Sequence, residues 1–130
     1  ILLSLVESQI IPIIAPIGSG SRGETFNINA DTVAGAVAQA VGATRLLLLT
    51  DVVGILDKEG ALVPEMSASD VEAAVADGTI HGGMIPKAET CLAAVRENVE
   101  AAVILDGRVP HALLLEIFTA HGVGTLIRAS

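Results

Sequence analysis

Aromatic side chains are nearly absent from this sequence, which has two Phe, no Tyr and no Trp among its 130 residues. Yet 52% of the residues are hydrophobic, so the core must be built from Val, Ile, Leu and Ala. That mixture is typical of a buried, mostly parallel sheet covered by Ala-rich helices. At this length we expect one domain, long enough to bury roughly two-thirds of the surface of its unfolded chain.

Cysteines, basic residues and long apolar runs are also scarce. The single cysteine excludes an internal disulfide and fits a reducing compartment. No apolar run reaches the roughly 18 residues of a membrane span, because Pro, Gly or a charged residue interrupts every candidate. The formal net charge of −8 disfavours nucleic acid and anionic lipid as partners. Any site for an anion must therefore be a local arrangement of donors.

Strand-like and helix-like segments alternate along the chain. The predicted elements are a helix over 1–8, a buried strand over 9–17, a helix over 31–41, a buried strand over 45–51, a small hairpin over 52–63, helices over about 69–77 and 87–98, a strand over 101–106, a helix over 110–119 and a strand over 122–127. This order predicts an α/β fold, a mostly parallel sheet sandwiched by helices and joined by right-handed crossovers. Such a sheet binds ligands at the carboxyl ends of its strands.

Local signals predict where the helices begin and end. Asn29 is placed to cap the helix over 31–41, and Gly42 to end it. Ser69 and Glu72 have the spacing of a capping box. The apolar face of the helix over 31–41 is predicted to consist of Val33, Ala36, Val37, Ala40 and Val41. Cys91 shares a helical face with Ala88, Leu92 and Val95, which predicts a buried, small apolar residue.

A glycine motif follows the first predicted strand. Gly18, Gly20 and Gly23 satisfy G-x-G-x-x-G, the pattern of dinucleotide-binding folds. In those folds the third glycine opens a helix directly, whereas here ETFNIN intervenes. We therefore interpret the motif as a solvated hairpin tip and not as a dinucleotide site.

Two polar stretches leave the choice between structure and binding open. In NINAD (27–31), Asn29 and Asp31 could simply cap a helix and complement its dipole. However, alternation directs Asn27 and Asn29 to the same side, at a helix N-terminus that favours an anionic ligand. In TDVVGILD (50–57), a turn could close a hairpin, or its apolar side chains could form the wall of a nucleotide pocket.

The stretch HGGMIPK (81–87) carries one of the two lysines in the chain. Gly residues followed by Pro86 could mark the end of one helix and the start of another. Lys87 would then lie in a first turn, where a cation opposes the helix dipole. Two glycines that admit close approach, free backbone N–H groups and a mobile cation are also the requirements of a phosphate site.

Together, NINAD, LTDVVGILD, GTIHGGMIPK and DGRVPHALLLEIF closely resemble the acetylglutamate kinases of the amino-acid kinase family. The resemblance covers residues 9–128 and only the carboxyl-terminal, ATP-binding lobe. The amino-terminal substrate lobe of the family has no counterpart here, and the chain begins on ILLSLVES without Met or a basic region. We therefore expect no signal peptide, and a chain cut from a longer protein.

The resemblance implies transfer of the γ-phosphoryl group of ATP, bound with Mg²⁺, to the side-chain carboxylate of N-acetyl-L-glutamate. Lys87 matches the lysine that stabilises the transferring group, and Asp31 matches the carboxylate that orients the catalytic lysines. Asn27 and Asn29 match the acetylglutamate site. No metal-ligating residue is implied. The implied nucleotide-binding residues are Thr50, Asp51, Val52, Val53, Gly54, Ile55, Leu56, Thr79, Ile80, His81, Gly82, Gly83 and Met84.

Regulation, assembly and location are implied in the same way. Glu116 and Gly122 match an arginine site of regulated relatives, although Val103 stands where those relatives commonly carry His. The resemblance implies a homo-oligomer in the complete enzyme, with no nucleic-acid or membrane partner. It implies a cytoplasmic enzyme, or an organellar one in a eukaryote.

Two alternatives to a catalytic lobe remain at this stage. The chain could be an ATP-binding module without catalysis, because half of the expected active site is absent. It could also be a structural α/β piece that dimerises through apolar surface. Nucleotide titration separates the structural alternative from the other two.

Overall fold

A computed structural model describes residues 1–119 and 122–130 of the chain. Its helices are α1 (Leu2–Glu7), α2 (Ala30–Val41), α3 (Ala68–Ala76), α4 (Met84–Arg96) and α5 (Ala112–Phe118). Its strands are β1 (Ile17–Ser19), β2 (Thr25–Asn27), β3 (Arg45–Thr50), β4 (Glu65–Ser67), β5 (Ala101–Asp106) and β6 (Thr125–Arg128).

One mixed sheet, with strand order β3-β5-β6-β4, organises the chain. β3 is parallel to β5 and β4 is parallel to β6, whereas β5 and β6 are antiparallel. The parallel register places Thr50 beside Asp106, so the carboxyl ends of β3 and β5 meet at one edge. The α/β class is confirmed, and β1 and β2 form a separate antiparallel hairpin.

The core lies on both faces of β5, all of whose residues are buried. Helices α2, α3 and α4 cover one face, where Ala102 and Ile104 join the larger apolar cluster. On the other face, Ala112 of α5 packs with Val103 and Leu105. Aliphatic side chains fill both clusters, as the scarcity of aromatic residues predicted.

Cys91 is fully buried on α4, together with Ala88, Leu92 and Val95. This confirms the face predicted from helical spacing. Burial raises the pKa of the Cys91 thiol to about 12, so the thiol is protonated at neutral pH and serves as a small apolar packing group.

The predicted ends of α2 are also confirmed. Asn29 Oδ1 accepts a hydrogen bond from Thr32 N at 3.1 Å and so satisfies one free donor of the first turn. Gly42 follows the helix with φ +60° and ψ +50°, a left-handed conformation that costs glycine little.

The predicted apolar face of α2 is only partly correct. Gly35 and Ala38 are the buried residues, whereas Ala36 and Ala40 are exposed. The helix is packed closely enough against α4 that a Cβ atom on Gly35 would come within 2.9 Å of Thr90 Cγ2. Small residues therefore face the neighbouring helix, and the Val-rich pattern indicated the wrong centre for that face.

The glycine motif forms a hairpin tip, as predicted. Gly20 N donates to the carbonyl of Glu24 at 2.7 Å, and Gly23 adopts φ +87° between β1 and β2. The turn predicted within 52–63 is present too, with a single antiparallel bridge between Leu56 and Leu62.

The buried strand predicted over 9–17 is wrong. Residues 9–16 have no regular structure, and Ile11 and Ile13 are 88% and 97% exposed. Pro12 and Pro16 remove two backbone donors from the segment. No strand among the described residues pairs with it. The segment has the composition of a strand but lacks a neighbour to complete a ladder.

The start of α3 differs from the predicted capping box by two residues. Ser67 Oγ accepts from Asp70 N at 3.1 Å, and Asp70 Oδ2 accepts from Ser67 N at 3.0 Å. The Ser67 hydroxyl, which also donates to Asp70 Oδ2 at 2.6 Å, and the Ser67 backbone N–H lower the pKa of Asp70. Ser69 and Glu72 have the same spacing, but β4 ends at Ser67 and so sets where the helix begins.

Candidate functional site

A cleft of about 620 Å³ opens at the edge where β3 ends. The residues that line it come from the turn after β3 and from the loop that leads into α4. They are Thr50, Asp51, Val52, Val53, Gly54, Ile55, Leu56, Asp57, Lys58, Gly60, Thr79, Ile80, His81, Gly82, Gly83, Met84 and Lys87. All thirteen residues predicted to bind nucleotide are among them, and Lys87 lies with them.

The turn after β3 is fastened to the sheet by Thr125. The fully buried Thr125 Oγ1 accepts from Ile55 N at 2.8 Å and donates to the carbonyl of Val63 at 2.7 Å. Gly54 adopts φ +144°, and a Cβ atom there would lie 2.6 Å from Thr125 Oγ1. The close packing around this position therefore requires Gly54, because no side chain fits there.

Arg108 holds the beginning of the same turn. Its Nε and backbone N donate to Asp106 Oδ1, both at 2.9 Å. Arg108 also donates from Nη2 to the carbonyl of Asp51 at 2.6 Å. The Arg108 side chain, with its backbone N–H, lowers the pKa of Asp106 to about 2.

Three apolar side chains of the turn are available to a ligand, whereas others of the predicted set are not. Val52, Val53 and Leu56 are 38%, 45% and 41% exposed in the cleft wall. Ile55 and Ile80 are each 2% exposed and belong to the core. A ligand therefore meets the side chains of Val52, Val53 and Leu56 there, and not those of Ile55 and Ile80.

The loop into α4 contains one glycine with a special conformation and one without. Gly82 has φ +58°, which L-residues rarely adopt, whereas Gly83 has φ −68° and ψ −10°. Nothing lies within 4 Å of a Cβ atom built on either residue. α4 begins at Met84, before the Pro86 start that the sequence suggested. The N–H groups of Met84 and Ile85 donate to the carbonyls of His81 and Gly82 at 3.2 and 3.3 Å, and Pro86 has no N–H.

An ion pair joins this first turn to that of α2. Lys87 Nζ lies 2.8 Å from Asp31 Oδ2, with 24% and 26% of the two side chains exposed. Close packing of Gly35 against Thr90, one turn further along each helix, brings the two first turns side by side. The structure therefore brings both predicted catalytic residues together at the cleft, which Lys87 lines.

Asn27 and Asn29 do not line the cleft. Asn27 ends β2 and is exposed, and Asn29 uses its side-chain oxygen to cap α2. Both residues lie on the chain segment that leads to Asp31. Their predicted role in binding an acceptor therefore depends on surfaces beyond the cleft.

Glu116 and Gly122 border a second cavity, of about 600 Å³, beside α5. Glu116 is buried, and its Oε2 accepts from Val123 N at 2.8 Å. A Cβ atom on Gly122 would lie 2.5 Å from the same oxygen. The cavity also has charged walls from Arg45, Glu65 and Arg128.

Sequence reasoning missed three residues that shape the cleft. Thr125 anchors the turn, while Lys58 lines the cleft and forms an ion pair with Asp77 at the end of α3. A polar residue in a short apolar strand was the one signal for Thr125. Nothing in the sequence marks Lys58 as a neighbour of Asp77, since the turn and the helix end meet only in the folded chain.

The family model for the amino acid kinase family matches residues 2–106 of the chain. The chain belongs to the amino acid kinase family. The match includes the cleft-lining turn, the loop into α4, and both Asp31 and Lys87.

The curated relatives most similar in sequence include two acetylglutamate kinases. The chain is 62% identical over 126 residues to that of Acidiphilium cryptum and 65% identical over 127 residues to that of Rhodospirillum centenum. These alignments cover 97% and 98% of this chain but 42% of each relative. The chain therefore spans less than half the length of the relatives it matches.

Solved structures show the same fold. N-acetylglutamate synthase from Neisseria gonorrhoeae, complexed with coenzyme A and L-arginine, matches with a TM-score of 0.92 at 28% identity, over 99% of this chain and 30% of that one. Carbamate kinase from Giardia lamblia, bound to AMP-PNP, matches with a TM-score of 0.75 at 19% identity, over 96% of this chain and 42% of that one.

None of the helices in the part of the chain that the structure describes has the length and apolar composition to cross a membrane. Within residues 1–119 and 122–130, no group of three or more His, Cys, Asp or Glu side chains is arranged to hold a metal ion.

Proposed function

We propose that this chain is the ATP-binding lobe of an acetylglutamate kinase and constitutes one domain. In the proposed reaction, a carboxylate oxygen of N-acetyl-L-glutamate forms a new bond to the γ-phosphorus of ATP. The bond to the bridging oxygen of the β-phosphate breaks, and ADP leaves. The products are N-acetyl-L-glutamyl 5-phosphate and ADP. The first step on this chain is binding of the nucleotide in the cleft after β3.

The observation that carries the proposal is the Lys87–Asp31 ion pair at this cleft. The attacking carboxylate is already an anion, so the reaction needs no general base. What it needs is neutralisation of negative charge on the transferring group and accurate positioning. Lys87 supplies the cation. Asp31 accepts from Lys87 Nζ and thereby fixes where the ammonium group lies.

The cleft offers different surfaces to the parts of a nucleotide. Val52 and Val53 present apolar surface, which suits a base. The backbone of Gly82 and Gly83, which no side chain covers, presents N–H donors of the kind that suit phosphates. This division supports nucleotide binding along the length of the cleft.

The chemistry of the donor set also fits Mg²⁺ carried on the nucleotide. Asp51 lines the cleft and has an exposed carboxylate, an oxygen donor of the kind that Mg²⁺ accepts. When bound, Mg²⁺ would supply further positive charge near the phosphates. The protein's own contribution is the ammonium group of Lys87 and the backbone donors.

The acceptor is proposed from the relatives, which are named acetylglutamate kinases. Asn27 and Asn29, which precede Asp31 on the chain, are the proposed contacts for acetylglutamate. They lie outside the cleft, on the chain segment that leads to Asp31. A homo-oligomer of the complete enzyme is part of the same proposal, which includes no nucleic-acid or membrane partner.

The test joins this chain in frame to the amino-terminal part of the Acidiphilium cryptum relative. ADP release is measured with acetylglutamate, carbamate or isopentenyl phosphate as the acceptor, and hydroxylamine traps the acyl phosphate formed from acetylglutamate as a hydroxamate. We expect ATP-dependent product with acetylglutamate alone. Equal turnover of carbamate, or ATP consumption without any hydroxamate, would contradict the proposed acceptor.

A second role is proposed for the cavity beside α5. Arg45, Glu65, Glu116 and Arg128 give it charges of both signs, which suit a zwitterionic amino acid. The N-acetylglutamate synthase that shares this fold was crystallised with L-arginine. We propose that the cavity, with Glu116 and Gly122, binds arginine. Calorimetric titration with L-arginine, with L-citrulline as the uncharged control, tests this role.

A further inference from the structure

An ion pair joins the two segments that line the cleft. Lys58 lies in the turn over 57–60, and its Nζ is 2.8 Å from Asp77 Oδ2 at the carboxyl end of α3. Lys58 lines the cleft, and Asp77 stands two residues before Thr79, which also lines it. The pair therefore connects the turn that follows β3 with the loop that leads into α4.

The second oxygen of the same carboxylate shapes that loop. Asp77 Oδ1 accepts from Thr79 N at 2.9 Å and from Thr79 Oγ1 at 2.6 Å. Asp77 thus binds Lys58 through one oxygen and Thr79 through the other. Lys58 and Thr79 together hold the pKa of Asp77 well below its usual range, and Asp77 raises the pKa of Lys58. Both groups are charged at neutral pH.

The Lys58–Asp77 ion pair contributes little to the stability of the fold. The side chains of Lys58 and Asp77 are 65% and 47% exposed, and ion pairs so exposed contribute little to folding. Its position is what distinguishes it. Of the ion pairs in the part of the chain that the structure describes, only this one and Lys87–Asp31 include a residue of the cleft.

We propose that Lys58 and Asp77 are positioning residues, whose ion pair holds the 57–60 turn against the loop over 77–79 and fixes the cleft in the form that binds a nucleoside triphosphate. This inference rests on the proposed function, because it takes the cleft as the nucleotide site. Neither residue is assigned contact with the nucleotide. Their effect is transmitted through Thr79 and through the turn.

Asp77→Asn distinguishes this role from direct contact between Lys58 and the phosphates. The amide oxygen of Asn still accepts from Thr79, so the loop keeps its local hydrogen bonds, but the ion pair is lost. If Asp77 only positions the turn, the affinity for MgATP falls. If Lys58 binds the phosphates and Asp77 competes with them, removal of the carboxylate frees Lys58 and the affinity rises.

The experiment measures the Kd for MgATP by calorimetry, per folded molecule, for Asp77→Asn, Lys58→Met and the double variant. We expect each single variant to weaken binding by roughly two- to five-fold, the range of an exposed ion pair. The double variant should weaken binding no further, because both changes break one interaction. Lys58→Arg, which keeps a cation, should retain most of the affinity.

Glu72→Gln is the matched control. Glu72 forms an exposed ion pair with Arg96 between α3 and α4, and neither residue lines the cleft. This variant also removes one negative charge from an acidic chain, so it corrects for the general change in repulsion of ATP. We expect its Kd to equal that of the unaltered chain.

Tighter or unchanged binding by Asp77→Asn would overturn the positioning role. So would equal weakening by Glu72→Gln, or additive losses in the double variant. An unaltered chain without saturable ATP binding would overturn the proposed function and this inference with it. If the unaltered chain binds MgATP and the variants that break the ion pair bind it equally well, the inference alone would be overturned.

Discussion

Lys87 Nζ and Asp31 Oδ2 lie 2.8 Å apart, although 56 positions separate the two residues in the sequence. Each side chain belongs to the first turn of a helix, and the two helices pack through Gly35 and Thr90. A cation in a first turn is unfavourable for that helix alone. The carboxylate of Asp31 compensates and keeps the ammonium group at the cleft.

Replacing Lys87 by Met, in the chain joined to the amino-terminal part of the Acidiphilium cryptum relative, tests the catalytic role of this pair. Met keeps much of the apolar stem and deletes the charge. We expect kcat to fall by roughly 10²–10³-fold, comparable to the loss of one oxyanion donor. The KM for ATP should change less, since the interaction is strongest in the transition state. Steady-state kinetics provide the measurement.

Loss of the Lys87–Asp31 ion pair also lowers the stability of the fold, and this effect is measured separately from kcat. Lys87→Met leaves Asp31 without its cation, which costs about 1–3 kcal/mol for a pair whose side chains are 24% and 26% exposed. The double variant Lys87→Met/Asp31→Asn should recover this loss in urea denaturation without recovering kcat. A near-normal kcat in Lys87→Met would remove Lys87 from the mechanism.

Substitution by Ala should have different effects at the two glycines before α4: it should mainly lower stability at Gly82 and mainly weaken MgATP binding at Gly83. Gly82→Ala forces a Cβ atom onto φ +58° and should cost about 1–2 kcal/mol of stability. Gly83→Ala keeps an ordinary backbone conformation and should cost less than about 1 kcal/mol. It should weaken MgATP binding by roughly tenfold, because a close backbone contact to a charged group is lost.

Thermal melting beside calorimetry separates the two effects of the glycine variants. If Gly83→Ala binds ATP normally per folded molecule, the phosphates do not approach this backbone, and the phosphate part of the proposal fails.

The contact between Gly35 and Thr90 limits how closely α2 and α4 pack, and substitutions at these two positions test it. Ala at this position gains about 1 kcal/mol of helix propensity, but its Cβ atom would lie 2.9 Å from Thr90 Cγ2. Overpacking of this kind costs about 1–3 kcal/mol, so Gly35→Ala should be neutral or destabilising. Thr90→Ser removes the methyl group and keeps the hydroxyl that donates to the Pro86 carbonyl. By urea denaturation, Gly35→Ala/Thr90→Ser should be more stable than Gly35→Ala. If the changes in the free energy of unfolding of the two single variants simply add in the double variant, this contact does not limit the packing of the helices.

Asp106 predicts part of the acid sensitivity of the fold. Its pKa falls from 3.8 to about 2 on folding, chiefly because Arg108 donates to it. Since the folded value is the lower one, the unfolded state binds more protons between these two values. The stabilisation is therefore complete above pH 3.8 and is lost as the pH falls towards about 2.

Asp106→Asn should accordingly be less stable than the unaltered chain at pH 7, and the difference should shrink as the pH falls below 3.8. Urea midpoints across this pH range measure it, with Glu100→Gln, an exposed site, as the control. A difference that does not depend on pH would show that packing, and not charge, explains the effect of the variant.

Elements set by local chemistry were predictable from the sequence. Asn29 and Gly42 delimit α2 because a side-chain oxygen and a left-handed glycine satisfy the ends of a helix without help from the rest of the chain. β5 was predictable because a run of five apolar residues followed by Asp106 is typical of a buried central strand.

Elements that depend on a neighbour were not predictable. Residues 9–16 have a strand-like composition but no partner among the described strands. Ser67 caps α3, although Ser69 has the same spacing, because pairing of β4 with β6 fixes where the strand ends. The ion pair of Lys58 with Asp77 follows from tertiary contact alone. The sequence therefore predicted which segments form the cleft, but not what holds them together.

Calorimetric titration of this chain with MgATP, beside a hydroxamate assay with acetylglutamate, tests the central claim most directly. The account predicts saturable binding at one site, because the nucleotide contacts lie on this chain, and no measurable hydroxamate, because the acceptor contacts lie mostly outside it. Absence of saturable binding would contradict the ATP-binding role. Robust hydroxamate formation by this chain alone would contradict the division of the site between two lobes.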